Sequence, residues 1–302
     1  MVYDVIIIGG GVAGLSAAVY AARFNLSSII LTKRRMGLLQ DTHLVENWIG
    51  VISASGMELM KRIENHAKHY NVPIVEEEVT DVKKEGKNFK VKTKKKTYEG
   101  KTVILATGTA IKHLGIPGEE EFKNKGVSYC AICDAPLFRD KVVGVVGGND
   151  SAAKEALLLS EYTKHVYIIY RGKKIRAEPI NAKRVAENKK ITVVNNINVL
   201  EVKGDKFVKS VILDKPYKGS KEFKIEGLFI YVGQIPNTSL AKKLGVELNE
   251  KGEIIINMNS KTNVQGVFAA GDCTNRVFKQ AITGAAEGVA AAYSANEYLK
   301  KG

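Results

Sequence analysis

The chain opens on an unbroken apolar run, Tyr3 to Ile8, rich in β-branched residues and carrying a polar group only at Asp4. A run of this length with no polar face reads as a strand buried on both sides, as in a parallel sheet. Helical spacing follows from Leu15 to Phe24, and a second apolar run, Ser28 to Thr32, restores the strand pattern. After Gly56, the residues Met57, Leu59, Met60 and Ile63 recur at helical spacing up to about Tyr70. Val72 to Thr97 breaks into short strand-like stretches with polar turns at Glu85-Gly86 and Lys94 to Lys96, and Thr102 to Ala106 is again a buried strand. The pattern then restarts, with a strand over Lys141 to Val146, a helix over Ala153 to Tyr162 and a strand over His165 to Tyr170. Further strands are expected over Ile191 to Lys224 and over Gly227 to Gly233, and a last helix over Ala281 to Leu299. Strands alternating with helices in two successive sets predict an α/β protein with two βαβ-based domains.

Composition adds limits to this picture. At 302 residues the chain is long enough for two cores, and 45% hydrophobic with 26% charged residues is ordinary for a globular protein. No apolar run approaches bilayer length, so no membrane association is expected. The N-terminus enters a strand directly, without a leader pattern, which gives a cytoplasmic expectation. The net charge of +14 comes mostly from dispersed lysines, and no aromatic-and-basic motif accompanies it, so nucleic-acid binding is not expected. His66 and His69 share a predicted helix but have no further ligand in view, and no metal site is expected.

Two glycine turns carry the first chemistry. The first strand runs into Gly9-Gly10-Gly11-Val12-Ala13-Gly14 and then into a helix, which is the context a G-x-G-x-x-G turn needs to bind a dinucleotide. Gly9 makes the turn, Gly11 lets the backbone approach a pyrophosphate, and Gly14 lets helix and strand pack closely. Thr32, Lys33 and Arg34 stand where an acidic residue would take an NAD ribose, which argues against NAD here and leaves FAD. The second turn, Gly147-Gly148-Asn149-Asp150-Ser151-Ala152, opens the second βαβ unit. Both domains are therefore expected to be Rossmann-like.

Between the turns lies Tyr129-Cys130-Ala131-Ile132-Cys133-Asp134. Two thiols three positions apart can close and reopen a small disulfide ring, and such pairs tend to be reactive. Only three cysteines occur, which argues against a secreted disulfide scaffold and for a reducing compartment. A zinc reading lacks a second pair. Asp134, next to the second thiol, is the candidate acid for a leaving thiolate; a turn or cap aspartate is the plain alternative. Cys273 reads as a small buried residue.

These pieces in this order resemble the low-molecular-weight thioredoxin reductases, a class of the pyridine nucleotide-disulfide oxidoreductases. The residues that carry the resemblance are Gly9 to Gly14, Val45 to Trp48, Ala106-Thr107-Gly108, Cys130 to Asp134, Gly271-Asp272 and Gln280-Ala281. The resemblance implies two Rossmann-like nucleotide-binding domains in a three-layer ββα build. It implies a discontinuous FAD domain, residues 1–112 and 236–302, with an NAD(P)H-type domain, 113–235, inserted and carrying the Cys pair. It implies an FAD-dependent thioredoxin reductase, active as a homodimer, in which Cys133 faces the flavin and Cys130 attacks thioredoxin. For FAD it points to Gly9, Gly11, Gly14, Thr32, Gly37, Leu39, Asn47, Thr107, Gly108, Gly271, Asp272, Lys279, Gln280 and Ala281. For NADPH, the favoured donor, it points to Gly147, Gly148, Asn149, Ser151, Arg171 and Arg176.

The second nucleotide motif departs from the family. Asn149 stands where the second glycine belongs, and Gly172 replaces the second of two adjacent arginines, with Lys173 and Lys174 following. Lys279 replaces a usual arginine and Leu38 a usual glutamine near the flavin. Two other readings therefore stand beside the first: a reductase of the same build with a non-pyridine-nucleotide donor or a glutaredoxin- or peroxiredoxin-like partner, and a non-catalytic flavoprotein redox sensor.

Overall fold

The computed structural model describes residues 1–301, which form two compact units. Unit 1 comprises Met1–Ala110 together with the chain from Pro236 onward, and unit 2 comprises Ile111–Ile235.

The first segment of unit 1 contains β1 (Val2–Gly10), α1 (Val12–Arg23), β2 (Ser28–Arg35), α2 (Gly56–His69), β3 (Ile74–Glu76), β4 (Val79–Glu85), β5 (Asn88–Thr93) and β6 (Thr97–Leu105). One sheet runs in the order β3-β2-β1-β6-β5-β4. Strand β1 is parallel to β2 and to β6, with Ile6 opposite Ile29 and Val103, while β4, β5 and β6 form an antiparallel meander. The uninterrupted apolar run of β1 follows from burial on both faces. Ile7, Ile30 and Ile104 pack with the helices, whereas Ile6, Ile8, Ile29 and Leu31 pack with Val82, Phe89, Leu240 and Ile254 on the other side. The parallel sheet is thus the middle of three layers. Strand β6 begins earlier than expected, because the alternation of buried Tyr98, Gly100 and Thr102 with their neighbours continues the pleat back to Thr97.

Strand β7 (Thr109–Ile111) carries the chain into unit 2, which contains β8 (Val127–Ser128), α3 (Ala131–Asp134), β9 (Val142–Val146), α4 (Asp150–Tyr162), β10 (His165–Tyr170), α5 (Pro179–Glu187), β11 (Ile191–Asn195), β12 (Val199–Gly204), β13 (Val208–Tyr217), β14 (Ser220–Lys224) and β15 (Gly227–Ile230). A parallel sheet runs β11-β10-β9-β15-β8, and β12, β13 and β14 form an antiparallel meander. Helix α4 starts earlier than the apolar pattern placed it, because the Asn149 side chain accepts the Ala152 N–H and caps it. Helix α5 was not expected. It starts on Pro179 at its first position and buries only Asn181 and Val185, so its apolar stripe is too thin to stand out. The run from Gly227 leaves the sheet at Ile230, ahead of Gly233 with its φ of +113°.

Strand β16 (Gln234–Pro236) pairs with β7 and returns the chain to unit 1. There follow α6 (Ser239–Lys243), β17 (Val267–Ala269) and α7 (Ala281–Leu299). Strand β17 adds in parallel to β6, and α7 packs along α1. The second segment therefore completes both the sheet and the helical layer of unit 1. Among the described residues, no helix is long and apolar enough to cross a membrane.

Candidate functional site

In unit 2, Cys130 and Cys133 form a disulfide with an S–S distance of 2.08 Å. Strand β8 delivers the pair. Cys130 is still extended (φ −142°, ψ 94°), and the single turn of α3 is closed by the Asp134 N–H on the Cys130 carbonyl at 3.2 Å. Cys130 is half-buried and Cys133 exposed. Buried Ser128 donates through Oγ to Asp134 Oδ2 at 2.6 Å and accepts the Cys130 N–H at 3.1 Å. One hydroxyl thereby holds both the backbone of the first sulfur and the carboxylate beside the second. On the other side, Tyr231 Oη accepts the Ala131 N–H at 2.8 Å, so the amide between the two cysteines is also fixed. Burial, then the charge of Glu155, pushes the Tyr231 phenol well above its usual range, so it stays protonated.

The residue before the pair is anchored as well. Tyr129 donates to Glu119 at 2.7 Å, and Glu119 also accepts the N–H groups of Leu114, Gly115 and Ile116. Burial opposes ionisation of Glu119, but these donors outweigh it and hold the carboxyl below its usual range. His113 Nδ1 lies 2.8 Å from the Tyr129 oxygen. The pattern of the sequence did not pick out Ser128, Tyr231, Glu119 or His113.

In unit 1, the predicted residues Gly9, Gly11, Gly14, Thr32 and Gly37 gather at the carboxyl ends of β1 and β2. Gly9 has a φ of +123°, and a Cβ there would lie 2.0 Å from the Ala106 carbonyl oxygen, so only glycine fits. Helix α1 starts at Gly11 with no side-chain cap and no acidic residue in its first turn. Around Gly11 the nearest non-neighbouring atom to a Cβ would be 3.9 Å away, on Gly37, which leaves the helix start open. Thr32 gives its hydroxyl to the turn itself, accepting the Gly10 N–H at 3.0 Å. Leu39 begins a short 3-10 turn after Gly37.

The second segment of unit 1 brings in the remaining predicted residues. Gly271 follows β17, and its N–H donates to Glu287 at 2.7 Å. Asp272 is held by burial above the usual carboxylate range, with Lys279 opposing, and among the described residues no donor reaches its carboxylate. Lys279 pairs with Glu253 and donates to the Asp272 carbonyl at 3.0 Å. Gln280 caps α7, whose first residue is Ala281, and its side-chain oxygen accepts from Asn47 at 3.0 Å. Thr107 and Gly108 are locked to Asn237: Thr107 donates to the Asn237 carbonyl at 2.6 Å, and the Asn237 N–H donates to the Gly108 carbonyl at 2.9 Å. Asn237 and Glu287 were not singled out by sequence; an acidic residue amid the small residues of the first half of an alanine-rich helix was the available signal for Glu287. Fully buried Cys273 has its thiol pushed up by burial, in keeping with a packing residue.

An uncapped helix start for phosphates and a half-buried carboxylate without a donor for hydroxyls fit the FAD implied by the sequence. The unit 2 turn differs. Asn149 occupies the helix start as its cap, and Arg176 donates its backbone N–H to the Gly148 carbonyl at 2.5 Å. A Cβ on Gly148 would lie 2.3 Å from the Tyr170 ring, and one on Gly172 would lie 2.5 Å from the same ring. Ser151 and the side chains of Arg171 and Arg176 are exposed. Among the described residues no cluster of three or more His, Cys, Asp or Glu could hold a metal ion, and His66 and His69 pack against Tyr70 instead.

The profile of the pyridine nucleotide-disulphide oxidoreductase family matches residues 3–288. A thioredoxin reductase of Peptoclostridium acidaminophilum is 38% identical over 308 residues, covering 99% of this chain and 98% of that protein. Among solved structures, the thioredoxin reductase of Lactococcus lactis superposes with a TM-score of 0.95 at 35% identity, covering 99% of each chain. That of T. acidophilum superposes at 0.93 with 41% identity and 98% of each chain covered.

Proposed function

The chain belongs to the pyridine nucleotide-disulphide oxidoreductase family, and from that premise we propose that it is an FAD-dependent thioredoxin-disulfide reductase. The observation that carries this is the Cys130–Cys133 disulfide with Asp134 held beside it by Ser128. Membership implies FAD and NADPH as the cofactors. Unit 1 would hold FAD, the N–H groups at the start of α1 serving its phosphates, Asp272 its sugar-chain hydroxyls and the start of α7 its ring. Unit 2 is assigned to the nicotinamide-type fold. A homodimer and a cytoplasmic location are part of the proposal.

Bound FAD would supply the electron pair that opens the disulfide. The chain's own residues do the rest. The S–S bond of the pair breaks with uptake of two electrons, leaving Cys130 as the attacking thiolate. It displaces one sulfur of thioredoxin's disulfide and forms a mixed disulfide. Cys133 then attacks the Cys130 sulfur, releasing dithiol thioredoxin and regenerating the original disulfide. Of the two protons that the dithiol product needs, Asp134 relays one from solvent to a departing thiolate and solvent supplies the other, and Ser128 holds the Asp134 carboxyl in place.

The test is direct. The protein is loaded with FAD, reduced anaerobically with dithionite, freed of excess reductant and mixed with oxidised thioredoxin. The expected result is up to two dithiols formed per flavin, because the flavin and the Cys130–Cys133 pair each hold one electron pair after reduction, and it is abolished by Cys130→Ser. A parent protein that reduces no thioredoxin, or a Cys130→Ser variant that still does, refutes the assignment.

A further inference from the structure

We infer that the Gly147–Ala152 turn is closed to a dinucleotide pyrophosphate, so that NADPH and NADH are poor ligands of this chain, and that Asn149 is the residue that closes it. This deepens the reading above and rests on it only for the role of the flavin.

A Rossmann-type turn binds pyrophosphate with two things: unsatisfied N–H groups at a helix start, and a glycine whose missing side chain lets the phosphate come close. Unit 1 keeps both at Gly11. Unit 2 has lost the glycine and part of the donor set. Asn149 Oδ1 accepts the Ala152 N–H at 3.0 Å, which takes the donor a phosphate oxygen would use and puts a side chain where the glycine gap belongs. The segment after β10 then folds back over the turn. Its backbone pairs with the turn at Asn149 and Arg176, and the Arg176 N–H binds the Gly148 carbonyl. The Tyr170 ring lies against both Gly148 and Gly172 and fills the space their absent side chains leave. Asp150 adds a carboxylate in the first helical turn, held by the Glu178 N–H and Asn181 at 2.9 Å each and by Lys154 at 3.1 Å.

The exposed cations Arg171, Lys173, Lys174 and Arg176 remain able to attract a phosphate. Long exposed side chains contribute little each and are screened by salt, so they do not replace a seat of fixed backbone donors. Charge survives at the outer end of the site while the pyrophosphate seat is gone.

The experiment uses the FAD-loaded full chain. NADP+ binding to the oxidised protein is measured by calorimetry, and flavin bleaching by NADPH and by NADH is measured anaerobically. The parent is expected to give no saturable heat and no bleaching up to about 1 mM nucleotide, the weak end of the affinity scale. Asn149→Gly, alone and with Tyr170→Ala, is expected to tighten NADP+ binding at least tenfold. Micromolar binding by the parent overturns the inference, and so does an Asn149→Gly series that binds no better than the parent. Thioredoxin reduction after dithionite is run on the same samples. Its failure speaks against the reductase assignment alone, because that assay needs no nucleotide donor.

Discussion

The Ser128 hydroxyl donates to the Asp134 carboxylate at 2.6 Å while accepting the Cys130 N–H at 3.1 Å. One side chain therefore ties the Cys130 backbone to the Asp134 carboxylate. Ser128→Ala leaves Asp134 in place but unheld. Loss of a hydrogen bond worth ~1 kcal/mol should slow thioredoxin reduction about fivefold. Asp134→Asn should slow it by about 10²-fold or more, since it removes the proton itself. Stopped-flow mixing of pre-reduced enzyme with oxidised thioredoxin reads both. An Asp134→Asn variant as fast as the parent would take Asp134 out of the proton path.

The two cysteines should separate cleanly by what they trap. With Cys133→Ser, Cys130 can attack thioredoxin but no second enzyme thiol resolves the mixed disulfide, so a stable covalent complex should accumulate when the reduced variant is offered a thioredoxin that lacks its second cysteine and carries the first as an activated mixed disulfide. With Cys130→Ser no such complex should form. Non-reducing gels and intact-mass measurement decide this. A complex formed only by Cys130→Ser would reverse the two roles.

Asp272 couples flavin binding to pH. Burial raises its pKa without flavin, whereas a hydroxyl donating to its carboxylate favours the ionised form and lowers it. FAD binding should therefore release protons near the raised value, and affinity should grow as pH climbs through that range and weaken as pH falls below it. By the same sign, the stability this group lends the flavin-free protein is full at low pH and is lost as pH rises through the raised value. Calorimetry in buffers of different ionisation heat measures the proton release. Asp272→Asn should bind FAD more weakly and with this pH dependence removed; an unchanged pH profile would place the proton elsewhere.

Glu119 gives the opposite sign. Its folded pKa is depressed, so its contribution is present above the ordinary glutamate range and is lost as pH falls through the lower folded value. Glu119→Gln leaves the part-buried N–H groups of Leu114, Gly115 and Ile116 poorly matched, at a cost of ~1 kcal/mol at neutral pH. Thermal melts from pH 7 downward should show the parent and variant converging as acid is added. Parallel melting curves would show that the carboxylate is not the source of the effect.

The sequence made the frame of both units legible because their parallel strands are buried on both faces, and such strands must be written as unbroken β-branched runs. Ile6 and Ile7 face opposite layers, so neither position tolerates a polar residue. The thiol pair and the glycine turns were visible because their chemistry is local in sequence. The supporting groups were not local. Tyr231 binds the Ala131 amide from 100 positions away, through the parallel pairing of β15 with β8, and Asn237 binds Thr107 from 130 positions away. Nothing in the spacing of Ser128 and Asp134 distinguishes a positioning hydroxyl from any serine at a strand end. Asn149 was visible as a departure from the pattern, but that it caps α4 and shares the turn with Tyr170 and Arg176 follows only from the fold.

Unit 1 is written in two instalments, and β17 and α7 come in the second. During synthesis the N-terminal instalment emerges with the Val103–Leu105 end of β6 unpaired on one side and with α1 lacking the helix it packs against. Unit 2, by contrast, is contiguous and can close its sheet as soon as β15 has left the ribosome. The nascent chain thus acquires its thiol-bearing half first, and a truncated message yields a half-finished flavin half with a sticky strand exposed. The later arrival of β17 and α7 is what covers that strand and that helix.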